Sequence, residues 1–435
     1  MPLELHKVKG ELMLSKTAGL YWYTNDLRVA DNCLLARAVD QVDTLHCVFC
    51  NPSITSFLKH YSREERFGCA KQVFLEQSVD ALSSALTQHN LTLQIESKPA
   101  LAFLTDLIEK LEITHLFCNQ SAGSDEQKTL VQLRQKFPAI QVVQQPVNTL
   151  FNLQQLPFDV SEVPVTFTKF RKQVESLFIE PVVGINSEHD NYPFQQVAGE
   201  DELVFCGGES CGQEHIEHYF ATSLASEYKK TRNGLDGMLF STKFSPWLAL
   251  GCISPRLIVS KLRDYERRHG ANDSTYWIYF ELLWREYFYW HGRKQGKQLF
   301  FDGKKAGDTR MSSGDIEAFE SWKQGTTGYP IVDACMNQLS LSGYMSNRGR
   351  QLVASCLIYE LGLDWHMGAA YFETQLIDYD VSSNWGNWQY IAGIGAASNT
   401  IRQFDLDYQT QMYDPNGNFI AKWIGRSRKG GNSEV

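Results

Sequence analysis

The chain has 435 residues, of which 43% are hydrophobic and 21% are charged. This length exceeds one ordinary hydrophobic core and predicts two or three domains, and the composition excludes a disordered chain. The net charge of −9 argues against a generally basic nucleic-acid binder, although it permits a local positive face. Apolar runs are too short to span a bilayer and the N-terminal residues are too charged for a signal peptide, so we expect a cytoplasmic protein.

The ten cysteines are too few and too scattered for a disulfide framework in a chain of this size. Cys47 and Cys50 lie in the pattern of a buried strand, where cysteine serves as a small hydrophobic residue. Cys206 and Cys211, with His215 nearby, could hold zinc, but neither pair has a second pair at zinc-ribbon spacing. We therefore predict reduced structural thiols and no metal site.

The first part of the chain alternates short apolar runs with amphipathic helical windows. Five runs predict strands, at residues 19–24, 44–49, 91–95, 115–118 and 140–143. Three windows between them predict helices, at residues 32–39, 66–88 and 100–111. Strands and helices that alternate in this way predict a parallel, Rossmann-like sheet covered on both faces. We therefore expect an α/β domain over residues 1–146.

A stretch rich in proline and polar residues follows over residues 147–213, and only residues 166–177 within it have helical spacing. We predict an interdomain linker that lies on the surface. Helical windows then follow one another, at residues 214–228, 255–268, 274–291, 333–342, 347–361 and 365–376. Residues 214–435 are therefore predicted to form an all-α domain. This order of domains suits many enzymes and does not by itself give a function.

Five long motifs, in order along the chain, are more informative. They are residues 21–32 (YWYTNDLRVADN), 281–286 (ELLWRE), 322–334 (WKQGTTGYPIVDA), 345–350 (MSNRGR) and 378–390 (DYDVSSNWGNWQY). Together they resemble the photolyase and cryptochrome family over about residues 19 to 424, and such a series is far more specific than one short pattern. The resemblance implies that the all-α domain binds flavin adenine dinucleotide (FAD).

Residues 228–234 (YKKTRNG), 346–351 (SNRGRQ) and 388–390 (WQY) resemble the DASH branch of this family. Enzymes that repair six-four photoproducts would carry histidines near Asn347 and Gln351, and none is there. The resemblance implies blue-light-driven repair of cyclobutane pyrimidine dimers, in which the excited, reduced flavin passes an electron to the dimer. The alternatives are a blue-light photoreceptor with a signalling role and, more remotely, a nucleic-acid-binding regulator that lacks the chemistry.

The resemblance also implies which residues hold FAD. A segment rich in hydroxyls before a helix start suits a diphosphate, although on composition alone it is more often a plain helix cap. This phosphate grip comprises Tyr228, Ser241, Thr242, Lys243, Phe244 and Ser245. Arg350 is expected to pair with Asp378, Asp380 to meet the ring or the ribityl hydroxyls, and Asn384 to lie opposite flavin N5. Ile278, Glu281, Arg285, Asn347 and Ser383 complete the implied set.

A photolyase must extrude the lesion from the duplex and hold it against the flavin. Glu281 and Trp284 lie on one helix face, where Trp284 would stack on the pyrimidines opposite Tyr390. Glu281 and Asn347 would hydrogen-bond the bases. Gln351 and Tyr390 replace less polar residues of the lesion wall, which predicts a preference for single-stranded or looped DNA.

Cations around this site are candidates for phosphate contacts, foremost Arg348 and Arg402. A further basic rim could comprise Lys229, Lys230, Arg232, Arg293, Lys294 and Lys297, although such runs are more often a plain solvated face. We expect a monomer with dimer-containing DNA as its partner.

Trp388 and Trp365 match the inner two members of the electron relay of the family, and they complete the implied catalytic set with Glu281, Trp284, Asn347 and Asn384. Ser312 stands where the outer tryptophan is expected, and a surface tyrosine such as Tyr371 could substitute.

An antenna is a separate question. DASH proteins commonly hold a folate, methenyltetrahydrofolate, with the help of a glutamate near the helix after the fourth strand. Ser121 stands near that place, and whether Glu126 replaces the glutamate is open. The residues weigh slightly against a folate.

Overall fold

The structure, a computed structural model, describes residues 17–182, 204–301, 311–394 and 402–424. Its first part contains one sheet of five parallel strands in the order β3-β2-β1-β4-β5. The strands are β1 Ala18–Tyr23, β2 Thr44–Cys50, β3 Leu93–Glu96, β4 His115–Asn119 and β5 Gln141–Gln145. Tyr21 of the central strand β1 lies opposite Cys47 of β2 and Phe117 of β4. The parallel sheet is confirmed, and each predicted strand ends within two residues of the observed one.

Helices cover both faces of this sheet. They are α1 Cys33–Gln41, α3 Cys69–Gln88, α4 Ala100–Lys110 and α5 Ser124–Lys136. A further helix, α2 Ser56–Ser62, instead packs its Leu58 and Tyr61 side chains into the core of the helical domain. Successive side chains of β1 alternate between two cores, because side chains of a strand point to opposite faces. Leu20 and Trp22 lie in the core with α4 and α5, whereas Tyr21 and Tyr23 lie in a core that continues into the helical domain.

From residue 204 onward the described chain is helical and contains no strand, which confirms the predicted all-α domain. Its helices are α7 Glu209–Ala221, α8 Leu224–Thr231, α9 Ser245–Leu250, α10 Pro255–His269, α11 Asp273–Gln295, α12 Ser313–Gln324, α13 Pro330–Ser342, α14 Asn347–Ser355, α15 Trp365–Gln375, α16 Val381–Ile391, α17 Leu406–Tyr413 and α18 Asn418–Ile424, preceded in the connector by α6 Phe167–Val174. A π-helical turn, Cys356–Glu360, extends α14.

The prediction of one helix over residues 214–228 is wrong, because two helices, α7 and α8, cover this stretch. The break falls at Thr222, whose backbone is extended and whose hydroxyl accepts a hydrogen bond from the amide of Leu224 at 3.3 Å. Threonine and serine often end or begin helices in this way, since their side chains compete for backbone groups.

The predicted linker, residues 147–213, is described over residues 147–182 and 204–213, and α7 already begins within it at Glu209. The connector is less superficial than predicted over residues 147–182. Several of its apolar side chains are at most 1% exposed, namely those of Val147, Leu150, Phe151, Val163, Phe170 and Val174. The backbone amides of Leu150 and Phe151 also donate to the buried carboxylate of Glu286 on α11. This part of the connector is therefore a layer of the core rather than a surface strap.

Motif 21–32 joins the two halves of the molecule. Arg28 is buried and donates to the carbonyl oxygens of Val147 in the connector (2.6 Å) and Gly251 after α9 (2.8 Å). Asp31, also buried, forms an ion pair with Arg256 of α10 at 3.0 Å. Because breaking a buried ion pair leaves an uncompensated charge, these contacts fix the sheet against the helical domain.

One cysteine of the second strand is packed inside the sheet. Cys47 is buried in β2 as predicted.

The prediction of reduced thiols at Cys206 and Cys211 is wrong in the structure, which joins them by a disulfide. The start of α7 brings their Cα atoms to 5.9 Å, within the range that a disulfide spans. None of the helices described is both long and apolar enough to cross a bilayer.

Candidate flavin and DNA site

The loop before α9 has an unusual backbone and an unpaired buried cation. Ser241 and Lys243 have φ angles of 67° and 55°, in a region that residues other than glycine rarely adopt. The Lys243 side chain is 1% exposed, and its Nζ atom has no hydrogen-bond partner among the described residues. Burial lowers the pKa of Lys243 to about 7. A buried cation without a partner is costly, so this position fits the diphosphate of FAD.

Asp378 lies next to this loop with its predicted partner. Arg350 Nη2 donates to both carboxylate oxygens of Asp378, at 2.9 and 2.7 Å, which confirms the expected ion pair. Ser245 Oγ donates to the same carboxylate at 2.7 Å. The ring of Tyr344 lies under both cations, 4.8 Å from Lys243 Nζ and 5.5 Å from the Arg350 guanidinium. Asp378, in the segment before α16, therefore joins the start of α9 to α14.

His215 of α7 contacts the backbone of the loop before α9. Its Nε2 atom lies 2.8 Å from the carbonyl oxygen of Thr242. Burial lowers the pKa of His215 to about 4, so the ring is neutral near pH 7 and donates its Nε2 proton to that oxygen. Phe244, whose ring contacts that of His215, and Tyr228 are both buried. Neither His215 nor Tyr344 was predicted as part of the site, and no local motif distinguishes them.

The start of α16 positions the polar residues expected at the flavin ring. Asp380 caps the helix and accepts from the amide of Ser383 at 2.8 Å. Asn384, one turn into the helix, is 9% exposed, and its Nδ2 atom donates to the carbonyl oxygen of Ala369 on α15 at 3.0 Å. This hydrogen bond fixes the plane of the Asn384 amide.

Helix α11 presents the predicted residues Glu281 and Trp284 one turn apart. Glu281 accepts from Arg232 Nη1 at 2.6 Å and from Trp277 Nε1 at 3.1 Å. The Trp284 ring stacks on Phe167 of the connector, with centroids 3.7 Å apart.

Two other residues predicted on this helix have structural contacts. Ile278 is buried in the core. Arg285 donates to the carbonyl oxygens of Asn148 and Leu248, so the structure gives it a role in joining the connector to α9.

The predicted DNA contacts lie on α14, α16 and the segment before α17. Asn347 is exposed at the first turn of α14, and Gln351 is half-buried one turn further. The Arg348 guanidinium lies 4.7 Å from the Tyr413 ring, and that of Arg402 lies 3.4 Å from the Tyr390 ring. Both guanidinium groups thus already have an aromatic partner.

Trp365 and Trp388 are both buried, on α15 and α16. Among the described residues their rings contact other aromatics rather than each other: Trp365 contacts Trp385 at 5.8 Å, and Trp388 contacts Trp322 at 6.3 Å. The suggestion of a surface tyrosine at Tyr371 is wrong, because Tyr371 is 6% exposed and packs on Trp322. The neighbourhood is a tightly packed aromatic core, which residue spacing could not reveal.

Ser312 and Ser121 stand at or near the places where the outer tryptophan and the folate glutamate are expected. Ser312 caps α12 by accepting from the amide of Asp315. Ser121 is buried and accepts from the amide of Gly123. Glu126 lies in the first turn of α5, where partial burial raises its pKa.

Two sequence models match the two halves of the chain. The model described as DNA photolyase matches residues 19–185, and the FAD binding domain of DNA photolyase matches residues 277–434. A protein named Cryptochrome DASH from Vibrio parahaemolyticus is 51% identical over 423 residues, which cover 96% of this chain and 95% of that protein. The chain belongs to the photolyase and cryptochrome family. A second relative named Cryptochrome DASH, from Idiomarina loihiensis, is 46% identical and places the chain in the DASH branch.

Solved structures of this photolyase and cryptochrome family agree with the fold. A cryptochrome from Synechocystis superimposes with a TM-score of 0.82 at 35% identity, covering 94% of this chain and 89% of that one. A class III photolyase from Agrobacterium tumefaciens gives a TM-score of 0.75 at 26% identity, covering 97% and 88%. The helical domain is therefore the FAD-binding domain of a flavoprotein, and the unpaired Lys243 fits that cofactor.

Proposed function

We propose that this protein repairs cyclobutane pyrimidine dimers by light-driven electron transfer from reduced FAD, with a preference for single-stranded DNA. FAD, when bound, would supply the electron under blue light and would recover it once the ring bonds have split. The protein must then hold the cofactor through Lys243, Arg350 and the α16 residues. It must also hold the extruded dimer through Glu281, Trp284 and the residues opposite them.

The environment of Glu281 is the observation that carries this proposal. Its side chain is 36% exposed, and partial burial raises its pKa even though Arg232 lies beside it. A larger fraction of Glu281 is therefore protonated than of a fully exposed glutamate. A protonated carboxyl can donate a hydrogen bond to a pyrimidine carbonyl oxygen, whereas a carboxylate can only accept.

The aromatic walls of the lesion site support the preference for single strands. The Trp284 ring is covered by Phe167, and the Tyr390 ring is covered by the Arg402 guanidinium. A dimer that stacks on the same face of either ring must displace the group that covers it. A cation–π contact of this kind is worth about 0.5–1 kcal/mol at an exposed site. Both substrates meet this cost, so less stacking energy remains to offset the unpairing of the dimer, which a duplex requires and a single strand does not.

Substitution of Glu281 tests the proposal. In E281Q the amide can still donate to a base, so we expect affinity for a dimer-containing oligothymidine to remain near that of the wild type. In E281A this hydrogen bond is lost, and affinity should fall by about three- to tenfold. Wild-type binding should also weaken as pH rises through the raised pKa of Glu281, and E281Q should lose that dependence.

The matched control is E227A, which removes an exposed carboxylate on α8 that pairs with Lys230. FAD content, read from visible absorbance, shows whether each variant keeps the cofactor site. Equal affinity in E281A and the wild type at all pH values would contradict the role of Glu281. Dimer binding without any repair under reducing light would favour the photoreceptor alternative.

A further inference from the structure

A cleft of about 520 Å³ lies between the connector and α11, outside the flavin and lesion positions. Its walls include Lys169 and Lys172 from α6, Lys294 from α11, and Glu162 from the turn before α6. We call it the connector cleft. Such a volume is within the range of small-molecule sites, and it is large enough for a nucleotide.

The sequence of α6 explains why the lysines face the cleft. Phe167, Phe170 and Val174 form the buried face of this helix. Lys169 and Lys172 are one turn apart on the opposite, exposed face, because residues three apart in a helix are neighbours. Lys294 is held at the other wall, where its Nζ atom donates to the carbonyl oxygen of Val163 at 2.8 Å.

The charge of the connector cleft differs from that of the chain as a whole. The chain has 50 acidic and 41 basic residues, whereas three lysines and one carboxylate, Glu162, line the cleft. In the part of the chain that is described, none of the three lysines forms an ion pair. Free cations that share a concave site attract a ligand with several negative charges.

The position of the cleft indicates which polyanion it meets. Trp284 stacks on Phe167 at one end of α6, and the Tyr287 hydroxyl donates to the carbonyl oxygen of Val165 at 2.6 Å. Lys294 follows Trp284 by ten residues on α11, about 15 Å at 1.5 Å per residue. About four stacked nucleotides span this distance at 3.4 Å each.

We propose that the connector cleft binds the phosphodiester backbone of single-stranded DNA about four nucleotides from the dimer. This inference rests on the proposed function for the position of the dimer at Trp284. Lys169 and Lys172 contact phosphate oxygens, and Glu162 opposes them by its negative charge. These contacts hold the strand without reading its sequence.

Binding of an undamaged, fluorescein-labelled 16-nucleotide oligothymidine tests the cleft without any repair step. The variant is K169A/K172A, and the control is K110A/K128A, which removes two exposed lysines from α4 and α5. We expect the slope of log affinity against log salt to become shallower by about 1.4 in K169A/K172A alone. The advantage of the wild type should then shrink about 25-fold over a tenfold rise in salt.

E162Q changes the charge of the cleft in the opposite direction, because it removes the carboxylate. It should therefore tighten binding of the oligothymidine at low salt. A four-nucleotide oligothymidine with a central dimer cannot reach the cleft, so K169A/K172A should bind and repair it as the wild type does. Unchanged affinity and salt slope in both K169A/K172A and E162Q would overturn the proposal, whatever the repair activity. Altered binding of the 16-nucleotide strand, with no repair of any substrate, would leave the cleft in place and remove the proposed function.

Discussion

The buried ammonium group of Lys243 leads to a prediction about how FAD affinity depends on pH. Burial lowers its pKa to about 7 in the protein without FAD, while the nearby carboxylates of Asp236 and Asp378 oppose that shift. A diphosphate beside the ammonium group would raise the pKa again, because an opposite charge favours the charged form. FAD binding should therefore be accompanied by proton uptake above pH 7.

We predict that FAD affinity falls as pH rises above 7, by up to about tenfold per pH unit, because the free protein must gain a proton on binding. The K243M variant should bind FAD weakly at pH 7 and lose this dependence. Fluorescence quenching of FAD by the cofactor-free protein measures both. K230M, which removes an exposed lysine of α8, is the control. An equal pH slope in K243M and the wild type would rule out Lys243 as the proton acceptor.

Individual site residues were predictable where a long motif specified them. The Arg350–Asp378 ion pair followed from the motifs at 345–350 and 378–390, and the structure contains it. The contact of Trp284 with Phe167 could not be predicted, because it joins segments far apart in the chain. The contact of Arg402 with Tyr390 was missed because no motif covers Arg402. His215 was likewise missed, because its role depends on a backbone carbonyl that only the folded loop presents.

The packing of α15 against α16 leaves no space at Gly368. A Cβ atom there would lie 2.1 Å from Trp388 Cη2, far inside van der Waals contact. Trp388 is 3% exposed, so its ring cannot move outward without opening the core. Glycine at this position thus allows the two helices to approach around a predicted relay residue.

We predict that G368A lowers the free energy of unfolding by about 1–3 kcal/mol, because overpacking forces the Trp388 ring or the backbone to shift. Chemical denaturation followed by circular dichroism measures this change. The control is G314A in α12, where the nearest atom to an added Cβ is 3.7 Å away and alanine favours the helix. Equal stability of G368A and the wild type would contradict the close approach.

Strands were predicted more reliably than helix ends. The central strands β1 and β4 are buried on both faces, and all five strands appear as short apolar runs between polar segments, so their positions were clear in the sequence. The break between α7 and α8 was missed, because the apolar spacing on either side of Thr222 resembles one continuous helix. The π-helical turn after α14 was missed for the same reason, since one extra residue per turn hardly alters the pattern.

The two halves of the molecule share a continuous core. Arg28, Asp31 and Glu286 are buried polar groups that connect the sheet, the connector and the helical domain. Composition predicted a polar linker on the surface, because proline and polar residues alternate with its apolar anchors. The structure buries the apolar side chains of the connector in the shared core. The polar side chains of the same segment form one wall of the connector cleft.

The most direct test of the central claim compares dimer loss from single-stranded and duplex oligothymidine at equal low concentration. The protein is purified with FAD, reduced, mixed with either substrate, and exposed to blue light or kept dark, and the remaining dimer is quantified by chromatography. We predict loss of dimer from the single strand only in the light, and slower loss from the duplex. Persistence of the dimer in the illuminated single strand, with flavin reduced and substrate bound, would contradict repair as the function.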